Sequence, residues 1–194
     1  MKLGEIADIR SGRTFKNGVP ESDVPTHSVI QLRDFDKDED QRPIKWEQLN
    51  KTDLSNSKVD SSLKVDDILI VAKGPVKKAI YLSSVPKNIV ANQHFFIISA
   101  KANSTFSQQF LAYYLNSSDA QRWLYDNSGG SYQSTLSKKI LSELPIPNIG
   151  ENEQTLIVEA ADSVRTEIQL HELLIKGRLQ EMDAVFSNLW KSLA

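Results

Sequence analysis

The C-terminal segment constrains the fold most, because it joins a long proline-free stretch to a regular apolar repeat. From Glu151 to Leu193 there is no proline, and apolar or near-apolar residues recur at steps that alternate between four and three. Such spacing places these residues along one face of an α-helix. One step of four is repeated at Ile175 to Leu179, which is a single stutter in a coiled-coil pattern. The segment therefore predicts one long helix.

We call the apolar face of this helix the seam, and we expect it to contact a partner helix. With His171 at one of its positions, the seam consists of Ile157, Ala161, Val164, Ile168, Ile175, Leu179, Met182, Phe186 and Leu189. At a rise of about 1.5 Å per residue, some 40 residues form a helix of roughly 60 Å. That length exceeds what the rest of the chain needs to cover its own core, which favours a coiled coil.

The segment before the helix predicts one globular domain. Pro145 and Pro147 force an extended segment, since two prolines this close cannot continue a helix. We place the domain boundary there, giving a domain over residues 1–149 and a helix over residues 150–194. Before the boundary, short β-rich runs and short helical runs alternate between Gly, Pro, Asn and Ser clusters. This pattern predicts an α/β (α+β) fold with a small twisted β-sheet or half-barrel and short helices.

The clearest predicted elements are three strands and three short helices. The strands lie at residues 68–71, 79–82 and 94–98, where β-branched and aromatic residues cluster. Helical spacing appears at residues 110–115 and 119–125, and we expect Ser118 to cap the second of these helices. A third short helix carries Leu136, Ile140 and Leu141, with Ser134 or Thr135 as its N-cap.

The charge balance excludes an overall basic field. The chain has 23 Lys and Arg against 25 Asp and Glu, so its net charge is -2, and any nucleic-acid surface must be local. It has no cysteine, which excludes disulfides, thiolate zinc sites and cysteine nucleophiles and is compatible with a reducing cytosol. With neither a signal-peptide core at the N-terminus nor an apolar run of about 20 residues, we expect a cytoplasmic protein without a membrane span.

Signatures of enzymes are nearly absent. The acidic run from Asp34 to Asp40 resembles the start of a calcium loop, but Glu39 replaces the required glycine and Lys45 the final glutamate. Asp67 and Lys73 resemble part of a nuclease motif, but Val71 occupies the acidic position between them. The sequence predicts no catalytic residue, no metal site and no cofactor.

Three local loops combine cations with amide or hydroxyl side chains, the division of labour that DNA-binding proteins use for phosphates and base edges. Taken singly, each loop is more typical of a solvated turn than of a DNA contact. The predicted DNA-facing residues are Arg13, Lys16, Lys73, Lys77, Lys78, Gln133, Ser134, Lys138 and Lys139.

The order and spacing of short motifs resemble the specificity subunits of type I restriction-modification systems. The matching pieces are Leu3 to Phe15, Leu63 to Ile70, Gly74, Asn92 to Phe95, Phe110 to Ser117, Gly130 to Ser137, Leu141, Leu144 to Pro147, and Glu153, Gln154 and Ile157. One departure is Asp66, which stands where the family often has glycine.

The resemblance implies a non-catalytic function. In that family a target-recognition domain reads one half of a split site in double-stranded DNA. The helix that follows packs against another such helix and docks DNA adenine methyltransferase subunits, and a restriction endonuclease subunit joins through the complex. Full-length members carry two domains and two helices, so this chain resembles a half subunit that forms a homodimer through its helix.

Two other interpretations remain open. A protein-interaction adaptor of the same fold that no longer reads DNA is favoured by the acidic net charge, and sequence enrichment from random DNA would exclude it. A standalone hydrolase or nuclease is opposed by the missing ligand sets, because such chemistry requires positioned acids, bases or metal ligands.

Overall fold

The computed structural model describes residues 1–35, 44–55, 61–73, 77–128 and 135–193, with side chains up to residue 191. The chain divides into two compact units, Met1–Thr155 and Leu156–Ala194. The division lies inside the long helix, a little C-terminal to the boundary predicted after residue 149.

Two small sheets organise the first unit. A four-stranded antiparallel sheet has the order β1-β7-β4-β5, and a three-stranded sheet has the order β3-β2-β6, in which β2 and β6 run parallel. The strands are β1 Ala7–Ser11, β2 His27–Ile30, β3 Asn50–Thr52, β4 Ile68–Val71, β5 Ala79–Tyr81, β6 Ile89–Ala91 and β7 Phe95–Ala100.

The central strands β4 and β7 are apolar without alternation because both of their faces are covered. All four residues of β4 are buried, as are the first four of β7. On one face, Leu69 and Ile97 pack in a cluster with Ile30 and Ile89 from the smaller sheet. Since neighbouring residues of a strand point to opposite faces, the side chain of Ile68 lies on the other face of the sheet. The core therefore extends through the larger sheet.

The described residues also form five α-helices and two short 3-10 helices. The α-helices are α1 Leu3–Ile6, α2 Gln108–Asn116, α3 Ser118–Asn127, α4 Lys138–Glu143 and α5 Glu151–Leu193, and the 3-10 helices are Leu32–Asp34 and Trp46–Gln48. Two predicted N-caps were wrong. The Ser117 hydroxyl accepts from the Ala120 amide at the start of α3, and the Ser137 hydroxyl accepts from the Ile140 amide at the start of α4.

The predicted fold class is confirmed: small sheets and short helices precede one long C-terminal helix. The strands predicted at residues 68–71, 79–82 and 94–98 correspond to β4, β5 and β7, with ends that differ by one or two residues. The sequence did not predict β1, β2, β3 and β6, so it gave one sheet where the structure has two.

The first turn of α5 is held by a buried side chain of the same unit. Gln154 is 2% exposed. Its Oε1 accepts from the Ser107 amide at 2.9 Å, and its Nε2 donates to the Thr105 carbonyl at 3.3 Å. A buried side-chain amide requires such partners, because leaving it unpaired costs free energy.

The second unit is the rest of α5, and its apolar side chains are exposed. Along the seam, Ile175 is 62% exposed, Leu179 63% and Phe186 62%. Leu170, Leu173 and Leu174, which lie away from the seam, are also exposed. In the part of the chain that the structure describes, no helix is long and apolar enough to cross a membrane.

Candidate nucleic-acid interface

One edge of the larger sheet brings together segments that are far apart in sequence. Because β7 is antiparallel to both β1 and β4, the ends of β1 and β4 meet the start of β7 at this edge. The Gly12 amide donates to the Phe95 carbonyl at 2.9 Å, and the Ala72 amide donates to the His94 carbonyl at 2.7 Å. We call this region the loop edge: residues 12–16, 72–73, 92–94 and 135–139.

The turn at residues 92–94 lies at the middle of the loop edge and connects the two sheets. Asn92 is buried, and its side-chain Oδ1 accepts from the His94 amide at 3.1 Å. Its own amide donates to the Ile30 carbonyl at 3.0 Å. The side-chain Oε1 of Gln93 accepts from the Phe15 amide at 3.1 Å. The turn therefore fixes the loop that follows β1.

Gly12 is required at its position by the close approach of this turn. A Cβ atom built on Gly12 would lie 2.0 Å from the Asn92 carbonyl oxygen, and backbone cannot yield to it. The next residue continues the contact, since the Arg13 amide donates to the Ala91 carbonyl at 2.7 Å. Glycine thus lets the loop that carries Arg13 and Lys16 lie directly on the turn.

A third segment joins the loop edge from the C-terminal side of the domain. The Leu136 amide donates to the Ala72 carbonyl at 2.7 Å, and Thr135 forms an isolated antiparallel bridge with Lys73. Lys138 and Lys139 follow at the start of α4 and are exposed. The segment that contains them is therefore attached to the end of β4.

Most of the predicted cations that the structure describes lie on or beside the loop edge. Lys16, Lys73, Lys138 and Lys139 are exposed, whereas Arg13 is half-buried. Lys78 is half-buried, and its carbonyl accepts from the Val71 amide at 2.9 Å beside the same strand end. Gln133 and Ser134 lie outside the described residues, as does most of the acidic run from Asp34 to Asp40.

Lys77 contradicts the prediction that placed it on the surface. Its side chain is 1% exposed, and burial lowers the pKa of its ammonium below the ordinary value. Its backbone is held by α3, because Gln121 accepts from the Lys77 amide and donates to the Lys77 carbonyl, both at 3.0 Å. In this arrangement the ammonium is not available to a phosphate, so we do not retain Lys77 as a DNA contact.

Asn116 supports β5 in the same way. Its side-chain amide accepts from the Ala79 amide and donates to the Ala79 carbonyl, both at 2.8 Å. With Gln121 on Lys77, two side-chain amides thereby satisfy backbone groups at the start of β5 and just before it, where a further strand would otherwise pair. Side chains of α2 and α3 thus hold the β4–β5 hairpin in position.

His94 is a loop-edge residue whose sequence context predicted only a strand and a motif of the family resemblance, and no DNA contact. Burial lowers the pKa of its imidazole, and the nearby positive charge of Lys73 lowers it further. Its Nδ1 atom is buried and has no hydrogen-bond partner among the described residues. The turn at residues 92–94 carried no charge pattern by which composition alone could have marked it.

The nuclease-like pair separates in the structure. Asp67 is 3% exposed and is paired with Arg10, whose Nη2 lies 3.1 Å from its Oδ2. Its Oδ1 accepts from the Ser99 hydroxyl at 2.5 Å. These contacts satisfy the Asp67 carboxylate within the domain, at the end of β4 opposite to Lys73. In the described residues, no three acidic or histidine side chains are grouped to hold a metal ion.

The backbone conformation of Asp66 accounts for the glycine that the family often has at this position. Its φ is 70°, in the left-handed region that glycine adopts without strain. Its Oδ1 accepts from the Tyr81 hydroxyl at 2.5 Å. Burial, this hydrogen bond and the Asp66 charge raise the pKa of Tyr81 to about 12.

This arrangement defines a class of protein: a small domain that presents several loops at one sheet edge, followed by a long helix with an exposed apolar face. A family model for the type I restriction modification DNA specificity domain matches residues 1–180. The chain belongs to this family.

Solved structures agree with this assignment in fold. The HsdS subunit from Thermoanaerobacter tengcongensis has a TM-score of 0.59 and 18% sequence identity, and the S subunit from M. genitalium has 0.55 and 13%. A structure solved for complex assembly and conformational transition of the type I R-M system has a TM-score of 0.59 and 19% identity.

The matches cover much more of this chain than of the solved proteins. Each covers 87% of this chain, but only 37% to 39% of the solved chain. No curated protein matches the sequence.

Proposed function

We propose that this chain is a DNA sequence-specificity subunit that reads one half of a bipartite target in double-stranded DNA through the loop edge. One observation carries the proposal: three loops with cations and polar side chains converge on the turn at residues 92–94. Lys and Arg side chains supply the sequence-independent attraction to phosphates, and amides read base edges. The chain itself performs no chemistry in this proposal.

The helix supplies the second part of the proposed function. Two copies pair through their seams, so that two domains read two half-sites. The DNA adenine methyltransferase subunit docks on the helices and the restriction subunit joins through the complex. The proposal is supported by the family match and by the exposure of the seam, since a stable monomer rarely exposes an apolar stripe of this length.

Enrichment of sequences from random double-stranded DNA tests the reading function. The full chain, alone and with its methyltransferase subunit, should enrich one short sequence. Enrichment of no sequence in either case would contradict DNA reading and favour the adaptor of the same fold, for which the net charge of -2 is the supporting observation.

The salt dependence of binding tests the loop edge itself. The triple variant Lys73→Ala, Lys138→Ala, Lys139→Ala removes three exposed cations, so the slope of log K against log salt should fall in magnitude by about 2–3. Two control variants should leave the slope unchanged. Lys64→Ala removes an exposed cation before β4, away from the loop edge, and Lys77→Met removes the buried one. If Lys64→Ala lowered the salt slope as much as the triple variant does, the result would contradict a DNA interface at the loop edge.

A further inference from the structure

The seam has a symmetry that the stutter hides. From Ile157 to Ile175 the steps are 4, 3, 4, 3, 4, and from Ile175 to Leu193 they are again 4, 3, 4, 3, 4. Because this series also reads the same backwards, the seam is a palindrome of positions centred on Ile175. The repeated step of four falls at this centre.

We infer that two copies of α5 pair antiparallel about a twofold axis at Ile175, with each seam residue facing the one at equal distance on the other side of the centre. This inference rests on the proposed dimer and specifies its register. An isologous twofold interface requires such self-complementarity, because residue i contacts residue j and j contacts i. Ile175 then meets itself, Ile168 meets Met182, and Val164 meets Phe186.

The side chains that this register brings together complement one another in size. Ala161 faces Leu189 and Val164 faces Phe186, so these two layers each pair a smaller side chain with a larger one. A parallel pairing would instead place each residue opposite itself. It would leave a layer of two alanines, another of two phenylalanines, and a third in which His171 faces His171.

Charge on one flank of the seam agrees with the same axis. Glu172 lies three residues before Ile175 and Lys176 one residue after it, and the 3.6-residue repeat of the helix places both on the same side of the seam. In the antiparallel register, Glu172 of one copy lies beside Lys176 of the other, and the twofold axis produces this pair twice. Opposite charges at such flanking positions select orientation and partner in paired helices.

The register fixes a length. At about 1.5 Å per residue, the 24 residues from Glu151 to Ile175 extend about 36 Å, so the two helix starts lie about 72 Å apart along the paired helices. This separation follows from the palindromic spacing of the seam, because that spacing sets the centre of the pairing at Ile175.

Single cysteines test the register directly, because the chain has none of its own. A disulfide requires Cα atoms within about 7 Å. Ile175→Cys should therefore form a covalent dimer under mild oxidation. Ile168→Cys alone and Met182→Cys alone should not form one. In each case the cysteine would lie about 21 Å along the helix axis from the same cysteine of the other copy. An equal mixture of Ile168→Cys and Met182→Cys should cross-link.

Each outcome separates the register from the proposed function. If sedimentation shows a dimer and Ile168→Cys cross-links to the same residue of the other copy, the helices are parallel and the inference is overturned. A dimer in which none of these variants cross-links also overturns it. No dimer at all at high protein concentration overturns the pairing in the proposed function together with this register. DNA enrichment is scored separately and is not affected by either result.

Charge reversal gives a second readout. Glu172→Lys should raise the dimer dissociation constant about tenfold, because two attractive pairs become repulsive. Adding Lys176→Glu to the same chain should restore it. Glu159→Lys reverses a charge on the helix face opposite the seam and should leave the dissociation constant unchanged. Failure of Lys176→Glu to rescue would contradict the proposed neighbours.

Discussion

The domain and the helix treat the same residue types in opposite ways. Ile97 in β7 is fully buried, whereas Ile175 in α5 is 62% exposed. The domain encloses its apolar side chains between two sheets and four helices, so its own sequence satisfies them. The helix leaves its apolar side chains exposed. The comparison teaches that apolar residues stabilise the fold in one region, whereas in the other they would act through the association that we propose.

The largest expected effect comes from making the same substitution at one isoleucine of the domain and at one of the helix. Ile97→Ala should lower the free energy of unfolding of the domain by about 2–5 kcal/mol, because it leaves a cavity in a closed core. Ile175→Ala makes the same chemical change but should leave the unfolding of the domain unchanged while weakening association. Denaturant unfolding and sedimentation measure the two quantities. An equal loss of domain stability in Ile175→Ala would show that the helix is part of the domain core.

A smaller effect is expected where the helix begins. Gln154→Ala removes a buried side chain that accepts from the Ser107 amide, and it should cost about 1–3 kcal/mol of domain stability. Hydrogen exchange at the Ser107 amide should accelerate. Gln169→Ala is the matched control, since Gln169 is exposed on the same helix. Comparable losses in both variants would place the domain boundary further along the helix.

Alkaline titration sharpens the comparison because all tyrosines lie before the helix. The Tyr81 phenol keeps its proton to about pH 12 in the folded domain, whereas in the unfolded chain it ionises near 10. The folded state therefore binds more protons in this window, so stability should fall as the pH rises from 10 to 12. Asp66→Asn should lower the pKa of Tyr81, as followed by phenolate absorbance. An unchanged Tyr81 titration in that variant would contradict the role of Asp66.

The smallest effect concerns the loop edge at acid pH. The pKa of His94 is lowered in the folded domain, so the unfolded chain binds the proton more readily. Stability should therefore be complete above the ordinary value of about 6.5 and decline modestly as the pH falls through and below it. His94→Gln should remove part of this decline, as measured by thermal unfolding between pH 7 and 5. Identical pH profiles would show that His94 does not contribute.

The sequence predicted best those features that depend on neighbours along the chain. The long helix followed from a local repeat, and β4 and β7 followed from dense apolar runs. In contrast, β2 pairs in parallel with β6, about 60 residues away, and each strand is too short to show a period. Nothing local in the sequence indicates such a pairing.

The loop edge shows the same limit. The three loops were recognised by composition, but their convergence depends on which strands are neighbours in the sheet. Lys77 was misassigned because its burial is decided by α3, and Lys77 and Lys78 look alike in sequence. The turn at residues 92–94 had no chemical signature of its own and was found only through the motif that contains it.

The side-chain amides of Asn116, Gln121 and Gln154 have a consequence for sequence drift. The hydrogen-bond partners of these side chains are backbone N–H or C=O groups, in Ala79, Lys77, Leu115, Ser107, Thr105 and Ile149. Backbone groups persist when side chains change. The residues that receive these hydrogen bonds can therefore diverge, except to proline where an N–H is used, while the three amides keep hairpin, helices and linker in place. Under selection for new targets, a few fixed residues would allow their surroundings to vary.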